Sequence, residues 1–198
     1  MSIPPDQHVV VVPHCRRTKG PAGAAAAADT TRILESLQVP YMLTGSFAMA
    51  FYAKPRMTRD IDLVLAIGAE DVQPLTSALS GDFYVDPDAA REAIAQQRQF
   101  NLLHYASGIK IDLIVRKTAP YRHLEFDRRR RARLGDLEIC VVSREDLVLS
   151  KLEWSKETES ELQRADIRQL LDGSLDLDYL RQWAQVLEVD AVLLELMP

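Results

Sequence analysis

The chain is poor in cysteine, has no histidine cluster, no long apolar run and no excess of positive charge. Its 198 residues hold two cysteines, Cys15 and Cys140, and four scattered histidines, His8, His14, His104 and His123. No C-x-x-C pair and no His at ligand spacing accompany them, which argues against a zinc site and for a reducing compartment. No apolar stretch nears the ~18 residues that a membrane-spanning helix needs. The opening "MSIPPDQHVVVVPHCRR" lacks the apolar core of a secretory leader. A cytoplasmic protein with no membrane partner is expected. The formal net charge of −5 opposes indiscriminate coating of nucleic acid but leaves room for a local basic patch.

What is present is an ordinary globular composition, 47% hydrophobic and 27% charged. A chain of this length buries about two-thirds of its unfolded surface and folds without disulfide or metal staples. Residues 1–23 read as a loose arm or at most one added edge strand. An Ala-rich helix follows with Ile33, Leu34 and Leu37 at helical spacing. "PYMLTG" is a short strand stopping at Gly45, and "SFAMAFYA" a helix that Ser46 caps. "DIDLVLAI" is a strand, "GAEDVQPLTSALSG" a helix, "DFYVD" a short strand and "DPDAAREAIAQQRQ" a helix. "FNLLHYAS" and "KIDLIVRK" form a hairpin across Ser107-Gly108-Ile109. "LEICVVS" is the last strand. From Ser143 the pattern becomes helical, with Asp146 three residues on as a capping-box partner. Three helices are expected there, the last running unbroken over "DLDYLRQWAQVLEVDAVLLELM". The organisation is an arm over 1–23, a mixed α/β half over 24–142 and a helical domain over 143–198. The class is α+β.

Asp60 and Asp62 interrupt the apolar pattern of their strand. Residues i and i+2 share a face, so both acids point one way while Ile61, Leu63 and Leu65 serve the core. Two like charges this close repel unless a cation neutralises them. An oxygen-only pair suits Mg²⁺, typically held by one or two carboxylates together with substrate phosphates. Asp112, between Ile111 and Leu113, is a third acid on an apolar strand. If its strand lies beside that of Asp60 and Asp62, the three converge on one site for metal-assisted phosphoryl or nucleotidyl transfer.

Gly45-Ser46 opens a helix after a strand, a place where backbone N–H groups meet phosphate and glycine permits close approach. Lys54, Arg56 and Arg59 are of the type that meets a triphosphate or a nucleic-acid backbone. Lys151 stands in apolar company, where a bare ammonium needs a partner. Asp166, between Ala165 and Ile167, is placed to pair with Lys151 or Arg164 or to reach the metal site. Arg128 to Arg133, "RRRRAR", is the densest positive charge, either a solvated face or a grip for RNA phosphates.

On these residues the chain resembles the nucleotidyltransferase superfamily with the DNA polymerase β-type fold, whose pattern is Gly-Ser, then D-x-D, then a third acid on a later strand. "GSFAMAFYAKPRMTRDIDLVL" with "SREDLVLSKLEWSKETESELQRADIRQLL" is similar to the AbiEii/AbiGii-type members, over about residues 30–185. The resemblance implies a mixed sheet flanked by helices and a small C-terminal helical domain. It implies Asp60, Asp62 and Asp112 as catalytic and Mg²⁺-binding (or Mn²⁺-binding) residues. It also implies Gly45, Ser46, Arg56, Arg59 and Lys151 on the nucleotide, with Asp166 in support. The expected activity moves NMP from an NTP to an RNA (tRNA-like) or protein hydroxyl, as the toxin-like part of a toxin–antitoxin or phage-defence pair with a cognate antitoxin. The rivals are a non-catalytic nucleotide- or partner-binding module and an aminoglycoside-type enzyme whose acidic pocket would draw on Asp82, Asp86, Asp88 and Glu92.

Overall fold

In the computed structural model, residues 10–11, 20–54, 56, 58, 60–158 and 160–197 are described. Arg59, Cys15, His8 and His14 lie outside them. The chain order begins β1 (Val10–Val11), α1 (Gly20–Ser36), β2 (Tyr41–Thr44), α2 (Gly45–Ala48) and β3 (Asp60–Leu65). It continues with α3 (Val72–Leu79), β4 (Phe83–Tyr84), α4 (Pro87–Ala95), β5 (Gln99–His104) and β6 (Lys110–Val115). Then come α5 (Pro120–Asp127), β7 (Arg130–Leu134), β8 (Leu137–Val141), α6 (Arg144–Thr158), α7 (Glu161–Leu171), α8 (Leu177–Val186) and α9 (Asp190–Leu196).

The described strands form one eight-stranded mixed sheet in the order β1-β7-β8-β2-β3-β6-β5-β4. β3 runs antiparallel to β2 and parallel to β6. Along β3, Ile61, Leu63 and Leu65 are buried while Asp60, Asp62 and Val64 are half-buried, the alternation that the sequence pattern requires. A single apolar core extends from α1 to α9, with Leu149, Leu152 and Ile167 of the tail packed into the same cluster as the sheet. The α6 start matches its expected cap: the Ser143 hydroxyl donates to the Asp146 carboxylate, and the Asp146 amide donates back to Ser143 Oγ at 3.2 Å.

Several elements depart from the sequence reading. Residues 130–134 are a strand rather than a loop before the last strand: Ala132 and Leu134 are buried on one side while Arg131 and Arg133 are exposed on the other. The charge density hides a period-2 pattern. Residues 120–127 form α5, started by Pro120 at its first position. The last helix is two: Glu188 takes φ 55°, a left-handed conformation that ends α8 before α9 begins at Asp190. α4 ends at Ala95, with Gln97 at φ 50° turning the chain into β5. α1 begins at Gly20, within the segment expected to be arm. The expected helix after Gly45 is only four residues long, followed by a 3-10 turn over Met49–Phe51. A helix that short carries little dipole, so any phosphate grip there rests on side chains and on close approach at Gly45.

Candidate active site

The β3–β6 register sets Asp62 directly beside Asp112, with Asp60 beside Lys110 and Thr44 of β2 on the other flank of Asp62. Asp60 and Asp62 share a face by strand parity, so the structure gathers the three expected acids at one end of the sheet. Burial, reinforced by the charges of Asp112 and Asp60, pushes the Asp62 carboxyl up to about 6, against the opposing pull of Lys151 and Lys110. Crowded acids of this kind await a cation.

That role is partly filled within the chain. Lys110, two residues from Asp112 on the same strand face, places its ammonium 2.9 Å from Asp112 Oδ1 and hydrogen-bonds Oδ2 at 3.1 Å. Its own pKa is raised, chiefly by that hydrogen bond. Asp112 Oδ1 is buried, with the Lys110 ammonium as an ionic neighbour and not an aligned hydrogen-bond donor. Among the described residues no three His, Cys, Asp or Glu side chains already stand as a metal cage. The donor set nonetheless fits a hard divalent cation: oxygen-only ligands and a carboxylate destabilised by its neighbours.

Gly45 has φ +66°, and a Cβ built on it would lie 1.9 Å from Asp62 Oδ2. Only glycine lets the β2–α2 turn lie against that carboxylate. One residue on, Ser46 Oγ accepts a hydrogen bond from Arg56 Nη2 at 2.6 Å. Arg56 also forks onto Asp166, Nε to Oδ1 at 2.9 Å and Nη2 to Oδ2 at 2.9 Å. Lys151 completes the cluster, with Nζ 2.8 Å from Asp166 Oδ2 and 3.0 Å from Gln163 Oε1. Lys151 and Asp166 are 4% and 1% exposed, so the pair is buried and needs each of these partners. Burial lowers the Lys151 pKa; the Asp166 carboxyl is held below its usual value because its bonds to Arg56 and Lys151 outweigh the burial that pushes it up. Asp166 therefore joins Lys151 and Arg56, not Arg164, which pairs with Glu161 and Glu195.

Asp62, Gly45, Ser46 and Lys151 line one cavity of about 470 Å³ between the sheet and α6. Its walls also carry residues that sequence reasoning passed over, Arg122 and Glu125 of α5 and the cations Arg98, Arg116 and Lys117, together with Trp154 of α6, expected as a helix-packing residue but 52% exposed. Gln163, the second partner of Lys151, was also unforeseen. Lys54 is exposed and is not among the cavity's lining residues.

Three members of the arginine run, Arg128, Arg129 and Arg131, make contacts within the fold. Arg128 Nε donates to the fully buried Asp146 at 3.1 Å and its guanidinium lies 3.8 Å from the Tyr179 ring centroid. Arg129 packs over Phe126 and donates to its carbonyl, and Arg131 pairs with Glu138. Asp82, Asp86, Asp88 and Glu92 stand outside the cavity lining; Asp86 caps α4 and Asp88 pairs with Arg91.

Comparison with known families matches residues 32–182 to the model described as nucleotidyl transferase AbiEii toxin, Type IV TA system. Among solved structures, the antibiotic-resistance factor ANT(2'')-Ia superposes with TM-score 0.59 at 13% identity, covering 87% of this chain and 95% of that one. An antigenic nucleotidyltransferase-like protein from Paracoccidioides brasiliensis gives 0.54 at 15%, covering 87% and 91%. A candidate nucleotidyltransferase from Thermotoga maritima gives 0.53 at 16%, covering 77% and 96%. At these identities the likeness is one of fold. The comparison with curated proteins gives no match.

Proposed function

The chain belongs to the AbiEii nucleotidyltransferase family, and we propose that it transfers NMP from an NTP to a hydroxyl of an RNA acceptor with Mg²⁺ as cofactor. The supporting observation is that Asp62, Gly45, Ser46 and Lys151 line one cavity, with Asp112 beside Asp62 on the neighbouring strand. Asp60, Asp62 and Asp112 would hold the cation, with Lys110 withdrawn from Asp112. When bound, Mg²⁺ supplies charge neutralisation for the transferring phosphoryl group.

The chain's own residues do the rest. Lys151, already short of solvent and held by Asp166 and Gln163, offers its ammonium to the triphosphate. Arg56 holds Ser46 and Asp166 in fixed relation, so the phosphate grip is preorganised. Asp112, once Lys110 withdraws, would accept the proton of the acceptor hydroxyl. The acceptor oxygen forms a bond to the α-phosphorus as the bond to the bridging oxygen breaks, and pyrophosphate leaves with that electron pair.

Arg98, Arg116 and Lys117 on the cavity wall favour a polyanionic acceptor over a cationic drug. The family description supports a toxin-type role with an antitoxin partner. Among the described residues no helix is long and apolar enough to cross a membrane. The test is incubation with labelled NTPs, Mg²⁺ and total tRNA or lysate. Label should enter RNA and vanish in Asp60→Ala and Asp62→Ala variants. No label with any NTP would refute the reading, and label in protein alone would move the acceptor to a protein hydroxyl.

A further inference from the structure

We propose that Trp154 and the Arg122–Glu125 pair form the nucleobase subsite, and that Glu125 selects bases bearing an exocyclic amine. The inference rests on the NTP reading above and assigns the half of the cavity that phosphates would not occupy.

Ser150 and Lys151 are neighbours on α6, about 100° apart around its axis. Lys151 turns to Asp166, whereas Ser150 turns to Glu125, donating to Oε1 at 2.6 Å. Lys151 and the Arg122–Glu125 pair thus line different parts of the cavity, whose wall also carries Arg98, Arg116 and Lys117. Phosphates drawn to Lys151 and to a cation held by Asp62 leave the Arg122–Glu125 pair for the base.

Glu125 is 4% exposed, and its other oxygen accepts from Arg122 Nη1 at 2.7 Å. Arg122 is itself fixed, donating to Ser150 Oγ at 3.0 Å and to Glu153 and lying over the Tyr121 ring. Burial pushes the Glu125 carboxyl up, against the pull of Arg122 and Ser150; paired with the Arg122 guanidinium it is held as a carboxylate, which has about four lone-pair positions. Two remain for a ligand, and both can only accept. An exocyclic amine of adenine, guanine or cytosine satisfies one; uracil has N3–H alone to donate, flanked by the O2 and O4 lone pairs that face the carboxylate. Trp154, one helical turn beyond Lys151 and 52% exposed, lines the same cavity and offers an indole face for stacking.

The experiment measures binding by Trp154 fluorescence in a Trp183→Phe chain, with Mg²⁺ and no acceptor. Trp183 packs on Tyr121 and Tyr179 away from the cavity lining, so phenylalanine retains its contacts. Nucleotides should quench the emission, whereas tripolyphosphate should bind without quenching. CTP should bind at least about tenfold tighter than UTP, and ATP tighter than purine riboside triphosphate, because an unmatched buried acceptor rejects the analogue. Trp154→Ala, read by calorimetry, should weaken nucleotides roughly 5- to 100-fold and leave tripolyphosphate unchanged. Glu125→Gln, if its melting curve reports a folded chain, should narrow the CTP/UTP ratio, since an amide can donate as well as accept. Equal affinity for CTP and UTP and for ATP and purine riboside triphosphate, or absence of quenching, overturns the inference. If tripolyphosphate still binds in that case, the transfer reading stands; if neither it nor any NTP binds, both fall.

Discussion

Replacing Gly45 by alanine separates the stability of this site from its competence. The backbone there has φ +66°, and the new Cβ would sit 1.9 Å from Asp62 Oδ2, 2.7 Å from Cγ and 3.0 Å from the Asp62 Cβ. The left-handed conformation costs a non-glycine residue roughly 1–2 kcal/mol. For a chain of this size, that corresponds to a melting-temperature drop of about 2–8 °C. The steric conflict adds a displacement: ordinary carbon–oxygen contact requires the carboxylate to retreat by more than about 1 Å. A misplacement of that size at a reacting centre lowers turnover about a hundredfold. The expected phenotype is a folded protein, slightly less stable, with kcat for pyrophosphate release down about two orders of magnitude. Gly45→Asn tolerates the left-handed backbone better but keeps the clash, so it should melt higher than Gly45→Ala and remain as inactive. Calorimetry and a coupled pyrophosphate assay check both. A Gly45→Ala enzyme within threefold of the parent kcat would refute the claim that this turn fixes Asp62.

Three further outcomes follow from the same charges. Asp62→Asn should stabilise the metal-free protein at pH 7, because the ionised carboxyl is disfavoured there; the gap between 3.8 and about 6 caps the gain at about 3 kcal/mol, read by urea melts in chelator. Asp166→Ala removes the carboxylate shared by Lys151 and Arg56 and should cost about 3–5 kcal/mol. Because the Asp166 pKa is depressed, its contribution is complete above the ordinary value of 3.8 and is lost as pH falls below it, so the acid limb of the stability curve should flatten in Asp166→Asn. Arg128→Ala leaves the buried Asp146 with Ser143 and two tyrosines but no cation, and should lower stability by about 2–4 kcal/mol without changing the salt dependence of RNA binding.

The acids were legible because strand parity and composition alone place Asp60 and Asp62 on one face and mark Asp112 as anomalous among apolar neighbours. Their juxtaposition was not, since it depends on β3 and β6 being adjacent and in register. The Lys110 contact had a local signal, the same i, i+2 parity as the D-x-D pair, and was overlooked. Lys151 announced itself as a cation in an apolar stretch, yet its choice of Asp166 depends on how α6 meets α7. Arg122 and Glu125 stayed hidden because α5 lacks a side-chain cap and has polar residues around most of its surface. The break between α8 and α9 carries neither glycine nor proline; Glu188 adopts the left-handed turn because packing requires it.

The Arg56–Asp166–Lys151 cluster draws its members from positions more than a hundred residues apart. A chain emerging from the ribosome N-terminus first exposes Gly45, Asp60, Asp62 and Asp112 well before it exposes Lys151, and Asp166 later still. A chain cut short before residue 166 would carry Asp60, Asp62 and Asp112 without the carboxylate that joins Arg56 to Lys151.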